Sequence, residues 1–206
     1  MPTDEYRILI TMTRDATGRA DDRIDTLLQH IGQAPLDPVT GSGPVALPSM
    51  RTSTVRFASM DVLDRAQAAK QRGERVPTYG RVGLQTHEAL ETLLCRLEDG
   101  QRAFLAPSGM AAISMALMAC LSQGDHALVV DCVYGPVRYL HKTILSRMGI
   151  AMDFVRADLD SLQAALRPET RVLYLESPGS LLMEMLDLPA LSRWAHDLGL
   201  TVVADN

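Results

Sequence analysis

The spacing of apolar residues changes character roughly midway along this chain. In the first half they recur at helical intervals. Ile24, Leu27, Leu28 and Ile31 predict a short helix over 23–32, closed by Gly32. Val62, Leu63, Ala66 and Ala69 predict a second over 60–72, with Ser59 as its N-cap and Gly73 as its stop. Leu90, Leu93, Leu94 and Leu97 form a core-facing stripe on a third, opened by Thr86 and ended by Gly100. From Arg102 onward, short continuous apolar runs alternate with helical periods. The runs 103–105, 127–131, 152–155 and 171–175 read as strands, and Leu200-Thr201-Val202-Val203-Ala204-Asp205-Asn206 as a final buried one. The intervening stretches 108–122, 136–148, 158–166 and 188–198 read as helices, the first of them apolar nearly all round and hence buried. Strict alternation of this kind predicts an α/β fold, a mostly parallel sheet flanked by helices.

Two stretches escape the pattern. Residues 1–22 carry mixed charge and little periodicity apart from Ile8-Leu9-Ile10, as a loose N-terminal tail does. Residues 33–48 are rich in Pro and Gly, which describes an extended arm of the sort that lies over a neighbouring subunit. Within it Gly41-Ser42-Gly43 lacks the preceding strand and following helix that a nucleotide loop needs. The expected organisation is therefore a tail and arm over 1–58 and a folded α/β part over 59–206.

Composition narrows the function without choosing it. With 47% hydrophobic and 22% charged residues, the chain has ordinary globular character and no apolar run of bilayer length. A net charge of −5 and no local Lys/Arg cluster give a nucleic-acid backbone nothing to bind. Cys95, Cys120 and Cys132 lack metal-ligand spacing and read as reduced core thiols. The first residues do not follow the basic-then-apolar order of a signal peptide, so a cytoplasmic location is expected. Of the 20 basic residues only Lys70 and Lys142 are lysines.

Candidate chemistry clusters where strands end. Asp205 closes the last strand, and the C-terminal tips of open α/β sheets are where ligands bind. A carboxylate there suits a ribose, a metal or a protonated ring nitrogen. Ala106-Pro107-Ser108-Gly109-Met110 leads into the buried helix, so a Ser cap, a small Gly and free N–H groups face a potential anion such as a phosphate. An ordinary capped turn has the same composition. Tyr134-Gly135-Pro136 follows another strand, placing an aromatic ring where it can stack on a flat ligand or simply pack at a helix entry. Glu176-Ser177-Pro178-Gly179-Ser180 follows a third, as a binding loop or as a plain turn. Together they put a phosphate cradle, a stacking ring and a carboxylate on one sheet edge.

In that order and spacing, Tyr79-Gly80-Arg81, Ser108-Gly109-Met110-Ala111-Ala112, Gly124-Asp125-His126, Tyr134-Gly135-Pro136, the 176–180 loop and Val203-Ala204-Asp205-Asn206 resemble the cysteine/methionine-metabolism enzymes that use pyridoxal phosphate. The run 176–184 looks most like the cystathionine β-lyases, because γ-synthases and γ-lyases of the family tend to carry Asn-Pro where this chain has Gly179-Ser180. The resemblance covers residues 23–206 and implies the first part of a fold-type I large domain. It implies backbone N–H groups of Gly109 and Met110 on the cofactor phosphate, with Tyr79 and Arg81 reaching that phosphate from a neighbouring subunit of a homodimer or homotetramer. It further implies Tyr134 stacked on the pyridine ring and active in catalysis, Asp205 on the ring nitrogen, no metal, and an amino-acid thioether as substrate.

The family's Schiff-base lysine lies beyond the Asp-Asn pair, and its carboxylate-clamping arginine lies in a later, smaller domain. Neither falls within these 206 residues. Lys70 and Lys142 sit at other positions and read as solvated helix-surface residues. The chain thus reads as an N-terminal fragment of a carbon–sulfur lyase, inactive by itself. The alternatives are a γ-lyase or γ-synthase of the same family, or a non-catalytic remnant with an open sheet edge and an uncovered apolar face around Val202 and Val203.

Overall fold

In the computed structural model, residues 24–206 are described, so the expected tail and its Ile8-Leu9-Ile10 run lie outside the described residues. The chain divides into two compact units, one ending at Leu105 and the other spanning Ala106–Asn206.

Among the described residues the first unit holds three α-helices, α1 (Ile24–His30), α2 (Met60–Gln71) and α3 (Gln85–Leu97), each within a few residues of its predicted bounds. Ser59 caps α2 by accepting the Val62 N–H at 3.4 Å, and Gly73 follows it at φ +82. The Pro/Gly-rich stretch carries no helix, but it doubles back instead of running extended, turning at 37–42 so that Gln33 bridges Ala46 in antiparallel sense. Two further expectations fail here. The α3 stripe faces no core: Leu90, Leu94 and Leu97 are exposed, because nothing in this unit lies over them. Residues 103–105 form no strand, since three residues need a ladder partner and find none among the described residues.

The second unit is a three-layer α/β sandwich. Its strands are β1 (His126–Val130), β2 (Ala151–Val155), β3 (Thr170–Glu176) and β4 (Thr201–Asp205), all parallel in the order β2-β1-β3-β4. Alternate residues feed opposite cores. Ala127, Val129, Val172, Tyr174 and Val203 pack beneath α4 (Gly109–Cys120) and α5 (Gly135–Leu140). Leu128, Val130, Leu173, Leu175 and Val202 pack against α6 (Leu159–Ala165) and α7 (Leu188–Asp197). Double burial explains why β1 and β3 read as unbroken apolar runs. Asp158 and Asp187 cap α6 and α7 by accepting N–H groups of Ser161 and Ala190.

Three details differ from the sequence reading. The helix expected over 136–148 is α5 followed by a π turn, His141–Leu145, and a 3-10 turn, Ser146–Met148, ended by Gly149 at φ +78. The helix α4 is not buried all round: Leu117 is fully covered while Met115 and Met118 are exposed, because the sheet covers only one of its faces. Strand β4, expected to be buried, has Thr201 and Ala204 exposed and Val202 and Val203 half-buried, and it pairs with β3. The three cysteines are free as expected, and half-buried Cys120 and Cys132 pack against the two cores. No helix among the described residues is long and apolar enough to cross a membrane.

Candidate functional site

The parallel register determines what meets at the C-terminal edge of the sheet. Glu176 pairs with Asp205 and Tyr174 with Val203, so Tyr174, Glu176 and Asp205 share the face on which α4 and α5 pack. The ladder extends one step further through the Ser177 N–H, which donates to the Asp205 carbonyl at 3.1 Å and pins the backbone that carries the carboxylate.

Asp205 is half-buried, and its Oδ2 accepts the Tyr174 hydroxyl at 3.1 Å. Tyr174 is 1% exposed. Burial and the adjoining Asp205 charge push its phenol far up, so it remains a proton donor at any physiological pH. Glu176 is also buried, and its Oε2 accepts the backbone N–H of Tyr134 at 2.7 Å. Burial raises the Glu176 carboxyl, the Tyr134 N–H opposes that, and the Asp205 charge adds to it.

Tyr134 opens α5, and that hydrogen bond ties its loop to the tip of β3 while leaving the side chain exposed. At the start of α4, Ser108 accepts the Ala111 N–H on Oγ at 3.2 Å and the Ala112 N–H on its carbonyl at 3.0 Å. The N–H groups of Gly109 and Met110 precede the first intrahelical bond and point out of the helix start. A Cβ placed on Gly109 would meet no atom within 4 Å, so the approach to those N–H groups is open.

The loop after β3 is closely fitted. Ser177 precedes a cis proline, and its Oγ accepts the Leu186 N–H at 3.0 Å. A Cβ on Gly179 would fall 2.9 Å from Cys132 Cβ and closer still to Glu184 Oε2, which leaves room for glycine alone. Burial, then the Glu184 charge, push the Cys132 thiol up, so it is no nucleophile.

Of the residues expected at the site, Gly109, Met110, Tyr134 and Asp205 all lie in the second unit, with Asp205 at the tip of β4 and Tyr134 tied to the tip of β3. Tyr79 and Arg81 lie in the first unit, where Tyr79 bridges to Thr54 and the Arg81 guanidinium sits 5.6 Å from the Tyr79 ring centre. Both are exposed, held on a turn where a Cβ on Gly80 would clash with the Thr52 carbonyl. Lys70 and Lys142 are exposed. Sequence reading missed Tyr174 and the particular role of Glu176. The signal was their alternation with apolar residues on β3, in phase with Val172.

The donor set suits pyridoxal phosphate. Outward N–H groups at a helix start match a phosphate, an exposed ring matches a flat heterocycle, and a fixed carboxylate matches a protonated ring nitrogen. Among the described residues no cluster of His, Cys, Asp and Glu could hold a metal.

Comparison with known proteins agrees with this chemistry. The family described as Cys/Met metabolism PLP-dependent enzyme matches residues 25–206. Cystathionine beta-lyase of Bordetella avium is 54% identical over 183 residues, covering 89% of this chain and 46% of that protein. Cystathionine beta-lyase MetC of Escherichia coli K12 is 34% identical over 177 residues, covering 84% and 42%. The crystal structure of cystathionine gamma-lyase from Lactobacillus plantarum complexed with L-serine superimposes with a TM-score of 0.75 at 31% identity, covering 90% of this chain and 45% of that one. The chain thus spans less than half the length of each of these relatives.

Proposed function

Because the chain belongs to the Cys/Met-metabolism family of pyridoxal-phosphate-dependent enzymes, we propose that it supplies the cofactor-binding part of a carbon–sulfur lyase of the cystathionine β-lyase kind. The reaction would convert cystathionine to homocysteine, pyruvate and ammonia. The observation that carries this reading is the buttressed carboxylate of Asp205 at the C-terminal tip of β4, beside the tip of β3 whose Glu176 holds the Tyr134 loop.

The roles follow from chemistry. Gly109 and Met110 would bind the phosphate through N–H groups at the positive end of α4. Tyr134 would cover one ring face and hold or move a proton at its hydroxyl during substrate exchange. Asp205 would keep the ring nitrogen protonated. Bound this way, pyridoxal phosphate supplies a sink for the electron pair left when the substrate loses its α proton. Tyr79 and Arg81 would complete the phosphate site from a neighbouring subunit of a homodimer or homotetramer, with residues 1–58 as tail and arm and 59–206 as the first part of the cofactor domain.

Asp205→Asn in the full-length protein tests the reading, since it preserves shape and removes charge. A charge-assisted hydrogen bond of this kind contributes about 1.5 to 3 kcal/mol. Turnover at saturating pyridoxal phosphate is therefore expected to fall at least about tenfold, with a smaller change in cofactor retention. Unchanged turnover would reduce Asp205 to a turn residue and defeat the assignment. The γ-lyase likeness favours a second reading, which product analysis separates. Cleavage at Cβ of cystathionine releases pyruvate, and cleavage at Cγ releases cysteine and 2-oxobutyrate.

A further inference from the structure

The carboxylate assigned to the ring nitrogen has a partner that none of the roles above uses. Tyr174 stands two residues before the end of β3, on the face it shares with Asp205, with its ring in the apolar layer formed by Val129, Val172 and Val203. Its hydroxyl reaches one carboxylate oxygen of Asp205 at 3.1 Å. Resting on the site reading just given, we propose that Tyr174 is a positioning residue for Asp205, holding Oδ2 so that Oδ1 is presented to the cofactor ring nitrogen.

Phenylalanine would fill the same apolar space, so packing alone does not require the hydroxyl. A buried phenol needs an acceptor, and Asp205 Oδ2 is the one it meets, so the pair locks a carboxylate that would otherwise rotate about its terminal bond. A neutral O–H donor also stabilises the ionised carboxylate without neutralising it, which is what a partner for a ring N–H requires. The phenol keeps its proton under all working conditions because burial, then Asp205, raise it.

The test uses the full-length protein loaded with pyridoxal phosphate labelled with 15N in its ring, read by the 15N shift as a function of pH and by cofactor affinity. Tyr174→Phe is expected to lower the pH at which the ring nitrogen loses its proton by up to about one unit and to weaken cofactor binding about threefold to tenfold. In an Asp205→Asn background the same substitution is expected to change neither quantity, because Tyr174 acts through that carboxylate. A purely structural tyrosine would act equally in both backgrounds and overturn the proposal. If Asp205→Asn moves the 15N titration and Tyr174→Phe does not, the proposal fails while the site reading stands. If Asp205→Asn leaves the titration unchanged, the site reading fails and takes this inference with it. Urea unfolding of each apo variant separates lost positioning from lost folding.

Discussion

At the scale of single residues, Glu176 shows how a buried charge is put to use. Its carboxylate lies opposite Asp205 across the β3–β4 ladder, which is unfavourable, and it persists because it accepts the Tyr134 N–H. Glu176→Ala removes that acceptor and leaves a partly buried N–H unpaired. The expected loss is about 1 to 3 kcal/mol of stability by urea unfolding, together with weaker cofactor retention as the Tyr134 loop loosens. Glu176→Gln keeps an acceptor oxygen and removes the like charge. With its folded carboxyl raised, Glu176 contributes most stability below the ordinary value of 4.5 and loses it as pH rises through the folded value. At neutral pH the Gln variant is therefore expected to be at least as stable as the parent, and a loss equal to that of Ala would show that the Tyr134 bond is unimportant.

At the scale of elements, one histidine joins three strands at the opposite edge of the sheet. His126 opens β1 and is 1% exposed. Its Nδ1 pairs with Thr170 Oγ1 of β3 at 2.8 Å, and its Nε2 stands 3.4 Å from Asp153 Oδ2 of β2, a carboxylate that Arg167 also holds. Thr170 Oγ1 also accepts the Arg167 N–H, which ties the start of β3 to the same cluster. Burial, then the Arg167 charge, lower the His126 value against the opposing pull of Asp153 and Glu169. The unfolded chain then binds a proton that the folded chain refuses, so stability is full above the ordinary value of 6.5 and falls with pH below it, levelling off under the folded value. The thermal midpoint is expected to decline as pH drops from 7 through 6.5, and the decline should flatten in His126→Gln. An identical slope in the variant would assign the decline to other groups.

At the scale of the whole molecule, the isolated 206-residue chain is expected to release no pyruvate from cystathionine above a cofactor-only control. Its two lysines are exposed, Lys70 on α2 and Lys142 on the π turn. A lyase of this family needs a lysine both to hold the cofactor and to take the α proton, two losses at one step. Measurable pyruvate would mean that Lys70 or Lys142 substitutes and that the assignment of roles is wrong.

The sequence by itself determined the alternation of strands and helices, the caps at Ser59 and Ser108, and the family, because those depend on local periodicity, local hydrogen bonding and ordered motifs. It also placed Gly109 and Met110 at a helix start and Tyr134 and Asp205 at or just past strand ends. Burial was less legible. The α3 stripe and the outer face of α4 have core spacing without a covering surface in their own units, and a hydrophobic pattern records the need for a partner and not its presence. Only the tertiary structure decided that Glu176 holds Tyr134 and that Tyr174 holds Asp205. Those contacts join residues 42 and 31 positions apart, and the register of β3 against β4 creates the second of them, a long-range quantity that neither periodicity nor composition contains.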